Sequence, residues 1–207
     1  MNGSYIICGT DTNVGKTVLS SLLMAAHDDL YYWKPIQSGL EEETDTQVVQ
    51  RLSACTSERI IPEAYKLQQP LSPHLSARLD GITIDNNHLQ LPSERPIIVE
   101  TAGGVLVPVN EDMLQIELIK RWNLPVLIAS RTTLGTINHT LLTIKALRDY
   151  NIEITGVVML GAPNEENKKA IECYGKVTVL ATIPSIDNLN RTSLREVYAN
   201  QFKLEAI

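Results

Sequence analysis

The chain has 207 residues, with 18 Lys and Arg against 24 Asp and Glu and a formal net charge of −6. That length fits one α/β domain with a full core, and an acidic chain without a basic stripe argues against a nucleic-acid-binding surface, which works by counterion release. Its three cysteines, Cys8, Cys55 and Cys173, are odd in number and lack Cys-x-x-Cys spacing, so neither a disulfide framework nor a structural zinc site is expected. No apolar run nears the roughly 20 residues of a bilayer span, and no charged-then-apolar leader opens the chain. The expectation is a cytoplasmic protein that binds no membrane.

The first apolar run, Tyr5–Cys8, leads into Gly9-Thr-Asp-Thr-Asn-Val-Gly-Lys-Thr17 and then a helical stretch, Thr17–Ala26. A strand, a glycine-bounded loop and Lys-Thr at a helix start turn backbone N–H groups around phosphate oxygens, and the helix N-terminus adds partial positive charge there. Lys16 is placed to reach the β- and γ-phosphates, and the Thr17 hydroxyl to ligate Mg²⁺. Thr10 stands where the plain G-x-x-x-x-G-K-[ST] pattern has its first glycine, with Gly9 one residue earlier, so the flanking elements carry the assignment. A turn glycine beside a solvated lysine would explain neither of them.

The second run, Leu30–Trp33, ends on Lys34-Pro-Ile-Gln-Ser-Gly39. Lys34 is aimed by the strand end and the following proline, and a second lysine near Lys16 suits a transition state with spread negative charge; the alternative is a stray surface lysine. Ser38 either hydrogen-bonds a polar substrate or closes a turn with Gly39. Asp45 opens the helical stretch Asp45–Leu52 and is equally a metal ligand or an acid stabilised by the helix dipole. Residues 60–96 are proline-rich and polar, with short helical patches at His74–Leu79 and Asn86–Leu91. They read as an excursion from the sheet, of a length that carries function or stays disordered.

The run Ile97–Val99 delivers Glu100-Thr-Ala-Gly-Gly104. A carboxylate at a buried strand end suits a phosphate-bound Mg²⁺ better than a surface role, because the neighbouring glycine pair permits close backbone approach to a ligand. Met113–Trp122 is amphipathic, with Met113, Ile116, Leu118 and Ile119 as its core stripe. After the strand Val126–Ala129, Gly135-Thr-Ile-Asn138 opens the helix Thr136–Tyr150; its free N–H groups suit a carboxylate, or Thr136 is an ordinary cap. The strand Ile154–Leu160, helix Glu166–Tyr174 and strand Val177–Ala181 follow, and beyond Ile183 the pattern is weak. Continuous apolar strands separated by helices predict a mainly parallel sheet covered on both faces, with ligands beyond the strands' carboxyl ends. His74 and His139 have no partner that spacing identifies, and no hydrolase signature is present.

Five blocks in order, Gly9–Thr17, Lys34–Gly39, Ser72-Pro-His74, Val99–Gly104 and Leu134-Gly-Thr-Ile-Asn-His139, together with Asn164–Tyr174 and Ile183-Pro184, resemble the dethiobiotin synthetase family across nearly the whole chain. The resemblance implies a homodimeric, single-domain P-loop α/β protein that converts 7,8-diaminononanoate, CO₂ and MgATP to dethiobiotin, ADP and phosphate. A carbamate on one amine is phosphorylated to a mixed anhydride, and the other amine closes the ureido ring. By the same resemblance Thr12, Lys16 and Lys34 are catalytic, and Thr17, Asp45 and Glu100 serve Mg²⁺. Thr12, Lys34 and Ser38, with Gly135, Thr136, Ile137 and Asn138 of a partner subunit, contact the substrate. Nucleotide contacts fall on Asn13, Val14, Gly15, Lys16, Thr17 and Val18, on Asp45, Glu100, Thr101, Ala102 and Gly103, and on Leu160, Gly161, Pro184, Ser185 and Ile186.

Three residues depart from the family pattern. Asn13 replaces a common glutamate, and Thr101 replaces a glycine, which places a Cβ where the backbone is expected to meet the nucleotide. Leu160 stands at a common asparagine that reads the base; leucine makes no such hydrogen bonds, so a relaxed nucleotide preference is expected. Among rivals, a partition or septum-site switch ATPase would carry a second lysine where Asp11 stands. A cobyrinic-acid-type synthetase would need a glutaminase domain, and a non-catalytic nucleotide-binding partner protein would have no use for Lys16, Thr17, Lys34 and Glu100 together.

Overall fold

The computed structural model describes residues 3–202, and all structural statements concern these. In chain order the elements are β1 Tyr5–Gly9, α1 Lys16–Ala26, β2 Tyr31–Trp33, β3 Ile36–Ser38, α2 Asp45–Ser53, β4 Ile60–Ile61, β5 Tyr65–Leu67, α3 Pro73–Leu79, β6 Ile97–Gly104, α4 Gln115–Trp122, β7 Val126–Arg131, α5 Thr136–Asp149, β8 Ile154–Leu160, α6 Glu165–Gly175, β9 Val179–Ile183 and α7 Arg191–Gln201. Seven strands form one sheet in the order β4-β2-β6-β1-β7-β8-β9, and β3 pairs with β5 in a separate ribbon. Every pairing between these strands is parallel, as the continuous apolar runs require.

Alternation along the strands divides the core. Ile6, Cys8, Ile97, Val99, Val126 and Ile128 pack on one face with Ile116 and Ile119 of α4 and Ile144 and Leu147 of α5. Ile7, Ile98, Leu127 and Val158 pack on the other with Leu19, Leu22 and Leu23 of α1, Val49 of α2 and Leu194 of α7. Burying each such Leu, Ile or Val completely contributes about 1.5–3 kcal/mol. β1 sits at the centre, and the chain leaves it toward β2 on one side and reaches β7 on the other. The strand order therefore reverses at β1, which opens the crevice where its phosphate loop lies.

Residues 60–96 are more ordered than their composition suggests. They supply the edge strand β4, the ribbon strand β5 and α3, and Leu67, Ala77, Ile84 and Leu89 are buried in the same cluster as Ile6 and Ile97. α7 was not legible because only Leu194 on it is fully buried; Asn190, whose side chain caps the N–H groups of Thr192 and Ser193, was the available signal. β6 runs to Gly104, five residues past the apolar run that marked it, and its end forms the floor of the cleft.

Candidate active site

Gly15 is the N-cap of α1; its φ of 98° is left-handed and no side chain caps the helix, so the first N–H groups of α1 stay open to an anion. A Cβ on Gly15 would fall 2.5 Å from Leu160 Cδ2. The loop is curled by Lys16, whose Nζ donates to Asp11 O at 3.1 Å, and by Asp11, whose carboxylate accepts from Thr12 N at 2.7 Å. From β7, Arg131 donates to Thr12 O at 2.7 Å and lies 3.4 Å from the Asp11 carboxylate.

At the head of α1 four polar groups from four segments converge. The Thr17 hydroxyl lies 2.5 Å from Asp45 Oδ1 and 3.0 Å from Glu100 Oε1, with a single proton to donate between them. Lys34 Nζ stands 2.8 Å from Asp45 Oδ2 and 3.1 Å from Glu100 Oε1, and also donates to Thr101 O at 3.3 Å. Glu100 is 1% exposed, and its second oxygen accepts from Ser20 at 2.6 Å and from Tyr32 at 3.1 Å. Each partner sits where its element must end: β2 stops because Pro35 follows Lys34, while the Thr44–Gln47 capping box starts α2 at Asp45. Asp45 is thus both the helix-dipole acid and a member of the cluster.

Charge and burial act against each other here. Burial lowers the Lys34 pKa, but the Glu100 and Asp45 carboxylates outweigh it and hold the ammonium above its ordinary value. For Asp45, burial raises the pKa, and the Lys34 charge with hydrogen bonds from Lys34 and Thr17 brings it below the usual range. Lys16 is lowered, first by burial and then by Lys34. Tyr32 is pushed well above its ordinary value by burial and by Glu100, so it stays a donor.

A cleft of about 910 Å³ opens over this cluster. Of the expected site residues it is lined by Thr12, Asn13, Gly15, Lys16, Thr17, Val18, Lys34, Ser38, Asp45, Glu100, Ala102 and Gly103. The Ser38 hydroxyl is buried with no protein partner among the described residues. Gln37 went unread in the sequence; its amide donates to Ser38 O and Gly39 O and accepts from Asp45 N, tying the turn after β3 to the start of α2. Ser20 and Tyr32 were also missed, since nothing in their spacing marks them as partners of Glu100. Glu41–Glu43 and Pro70–Pro73 form the far rim, so the excursion does reach the site.

Other expected residues lie elsewhere. Val14 is 2% exposed with its side chain in the core. Thr101 is buried beside Glu100: strand alternation turns its side chain away from the Glu100 face, and its hydroxyl donates to Ile7 O at 3.1 Å. Leu160, Gly161 and Pro184–Ile186, at the ends of β8 and β9, and Gly135–Asn138 at the head of α5 line no part of this cleft. Thr136 is buried, and its hydroxyl donates to Arg131 O at 2.6 Å. Like α1, α5 begins without a side-chain cap.

The set of donors fits magnesium. A hydroxyl and two carboxylates gather hard oxygen atoms where the phosphate loop ends, the donor type that Mg²⁺ takes. Among the described residues no group of three or more His, Cys, Asp or Glu side chains could hold a metal ion.

A family model described as an AAA domain matches residues 3–193. The ATP-dependent dethiobiotin synthetase BioD of Nitrobacter hamburgensis is 46% identical over 206 residues, 99% of this chain and 97% of the relative. The protein of the same name from Rhodopseudomonas palustris is 45% identical over 205 residues, 99% of this chain and 96% of the relative. Among solved structures, the septum site-determining protein MinD with Mg-ADP from Pyrococcus horikoshii superposes with a TM-score of 0.54 at 11% identity, covering 95% of this chain and 86% of that one. At that identity the likeness is one of fold.

Proposed function

The chain belongs to the ATP-dependent dethiobiotin synthetase family, and from that premise we propose how its cleft carries out the reaction. The substrates are 7,8-diaminononanoate, CO₂ and ATP; a carbamate on one amine takes the γ-phosphoryl group, and the other amine attacks the activated carbonyl, expels phosphate and closes the ureido ring. The observation that carries this reading is the Lys34 ammonium held between Asp45 and Glu100 beside Thr17, within reach of the open head of α1. Phosphoryl transfer asks the protein chiefly for position and compensating charge. Lys34 is fixed by two carboxylates and kept charged, so it presents a positive group to the carbamate and γ-phosphate without reorganisation. Lys16 and the loop N–H groups hold the phosphates, and Thr12 lies beside them. The buried Ser38 hydroxyl offers the substrate a hydrogen bond.

Thr17, Asp45 and Glu100 would hold Mg²⁺, which supplies charge neutralisation between phosphate oxygens. The substrate carboxylate falls to the head of α5 of a partner subunit, Gly135 to Asn138. Two features support a homodimer: that helix start stands outside the cleft of its own chain, and the neighbouring Leu134 and Leu142 are exposed. Leu160, Gly161 and Pro184–Ile186 would meet the base. The chain acts as one P-loop α/β unit with residues 60–96 as an inserted wall of the cleft. It works in the cytoplasm; no helix among the described residues is long and apolar enough to cross a membrane.

Incubation with diaminononanoate, bicarbonate and MgATP yields dethiobiotin and phosphate in equal amounts. ATP turnover without dethiobiotin would instead favour a switch ATPase.

A further inference from the structure

We infer that Gln115 is a positioning residue for the carboxylation site, acting through the glycine turn at the end of β6; this rests on the function proposed above. β1 and β6 pair at Ile7 with Glu100 and again at Gly9 with Gly104, so β6 bulges, advancing four residues while β1 advances two. β2 gives no support on the other side, because its pairing with β6 ends at Trp33 and Val99. A buried side chain takes over. Gln115 is 3% exposed, its Oε1 accepts from Ala102 N at 2.9 Å and its Nε2 donates to Gly104 O at 2.9 Å. One amide therefore holds a donor and an acceptor on either side of Gly103, and the backbone N of Gln115 donates to Val107 O at 2.9 Å, closing the turn that follows.

What this clamp holds is a wall of the cleft. Ala102 and Gly103 line it, and Gly103 has a left-handed φ of 71°. A Cβ at Gly103 would stand 3.5 Å from Thr12 Oγ1 and 3.3 Å from Val107 Cγ2. The bulge thus sets the spacing between the β6 backbone and the phosphate loop, and it follows directly on Glu100. Bulges of this kind re-aim side chains beside active sites. Only glutamine combines donor and acceptor at this reach; methionine keeps its volume and loses both, whereas glutamate keeps the acceptor for Ala102 and sets an oxygen against Gly104 O.

The test compares wild type, Gln115→Met and Gln115→Glu by steady-state kinetics and by hydrogen exchange at the Ala102 amide. In Gln115→Met the dethiobiotin kcat falls by about 10–10²-fold, the scale of a site misplaced by an ångström. The KM for ATP changes little, since the loop and Lys16 are untouched, and Ala102 exchanges faster while Ile7 and Leu127 stay protected. Gln115→Glu exchanges Ala102 more slowly than the methionine variant and has an intermediate kcat. Unchanged kcat, equal losses in kcat and ATP affinity, or unchanged Ala102 exchange would each overturn the assignment. Should Gln115→Met not fold, Gln115→Glu against wild type decides on kcat and the KM for ATP, since it loses only the bond to Gly104 O. Wild-type dethiobiotin formation controls separately for the proposed function.

Discussion

At the head of α1, Thr17, Lys34, Asp45 and Glu100 lie 2.5–3.1 Å from their partners in the cluster and every charge has an opposite beside it. At the ends of β8 and β9 the arrangement differs: Leu160 lies against Gly15, and the Asn164 side chain is engaged in capping α6. One region places charge; the other offers packing. A preorganised charge is worth far more to a transition state than an apolar contact, because it is aimed at charge that grows during reaction. The phosphate region should therefore govern rate, and the β8–β9 rim should govern which nucleotide is accepted.

Lys34→Ala tests the first half most severely. Turnover falls by about 10²–10³-fold, as on removing a transition-state charge partner, while ATP affinity measured without diaminononanoate changes far less. Equal losses in rate and binding would show that Lys34 contributes uniform binding and would erase the contrast. Glu100→Gln comes next, with turnover lowered by about 10²-fold and a higher Mg²⁺ concentration needed for half-maximal rate. Ser20 and Tyr32 still have an oxygen to bond, so the fold persists. An unaltered Mg²⁺ requirement would remove Glu100 from the metal site.

The contrast also explains what the sequence disclosed. Lys34 and Glu100 stood out because each directly follows an apolar run, and a strand end in a parallel sheet fixes where the next side chain goes, while Lys16 and Thr17 stood out by their place after the glycine-bounded loop at the start of a helix. Asp45 stayed ambiguous since a helix start and a metal site ask for the same residue. The supporting partners were not legible: Ser20 is one polar residue in an apolar helix, Tyr32 looks like core, and Gln115 matters only through a bulge that appears once β6 runs on to Gly104. The facing of the Thr101 side chain was hidden for a related reason, as it follows from strand continuation past Val99, where apolar composition stops. The edge strand β4 and ribbon strands β3 and β5, at two or three residues each, are too short to set a period.

Leu160 bears on the second half of the contrast. An apolar surface separates ligands by about 10–10²-fold, whereas a site built to hydrogen-bond a group rejects its absence by about 10⁴-fold or more. Rates with ATP, CTP and GTP should thus agree within about 10²-fold, and Leu160→Asn should raise the preference for one base. A strong ATP preference in the wild type would mean that backbone groups at Gly161 or Pro184–Ile186 read the base in place of a side chain.

The smallest effect is on stability and separates the two roles of Asp45. Its carboxyl is held below its ordinary 3.8 because the Lys34 charge, with hydrogen bonds from Lys34 and Thr17, outweighs burial. A group with a depressed folded pKa stabilises the fold at all pH values above its unfolded pKa, and that contribution is lost as pH falls through the folded value. The Tm of Asp45→Asn should therefore lie below wild type by about 2–4 °C, the shift for roughly 1 kcal/mol in a chain of this size. This gap should hold from pH 7 to about 4 and close in more acid solution. Lys34 gives the opposite limit: its folded pKa is raised, so its share is complete below the ordinary 10.5 and is lost as pH rises through the folded value. Equal Tm values for wild type and Asp45→Asn at every pH would show that Asp45 stabilises through its hydrogen-bonding shape, which asparagine nearly copies, and not through its charge. The carboxylate would then be held at the head of α1 for the metal alone.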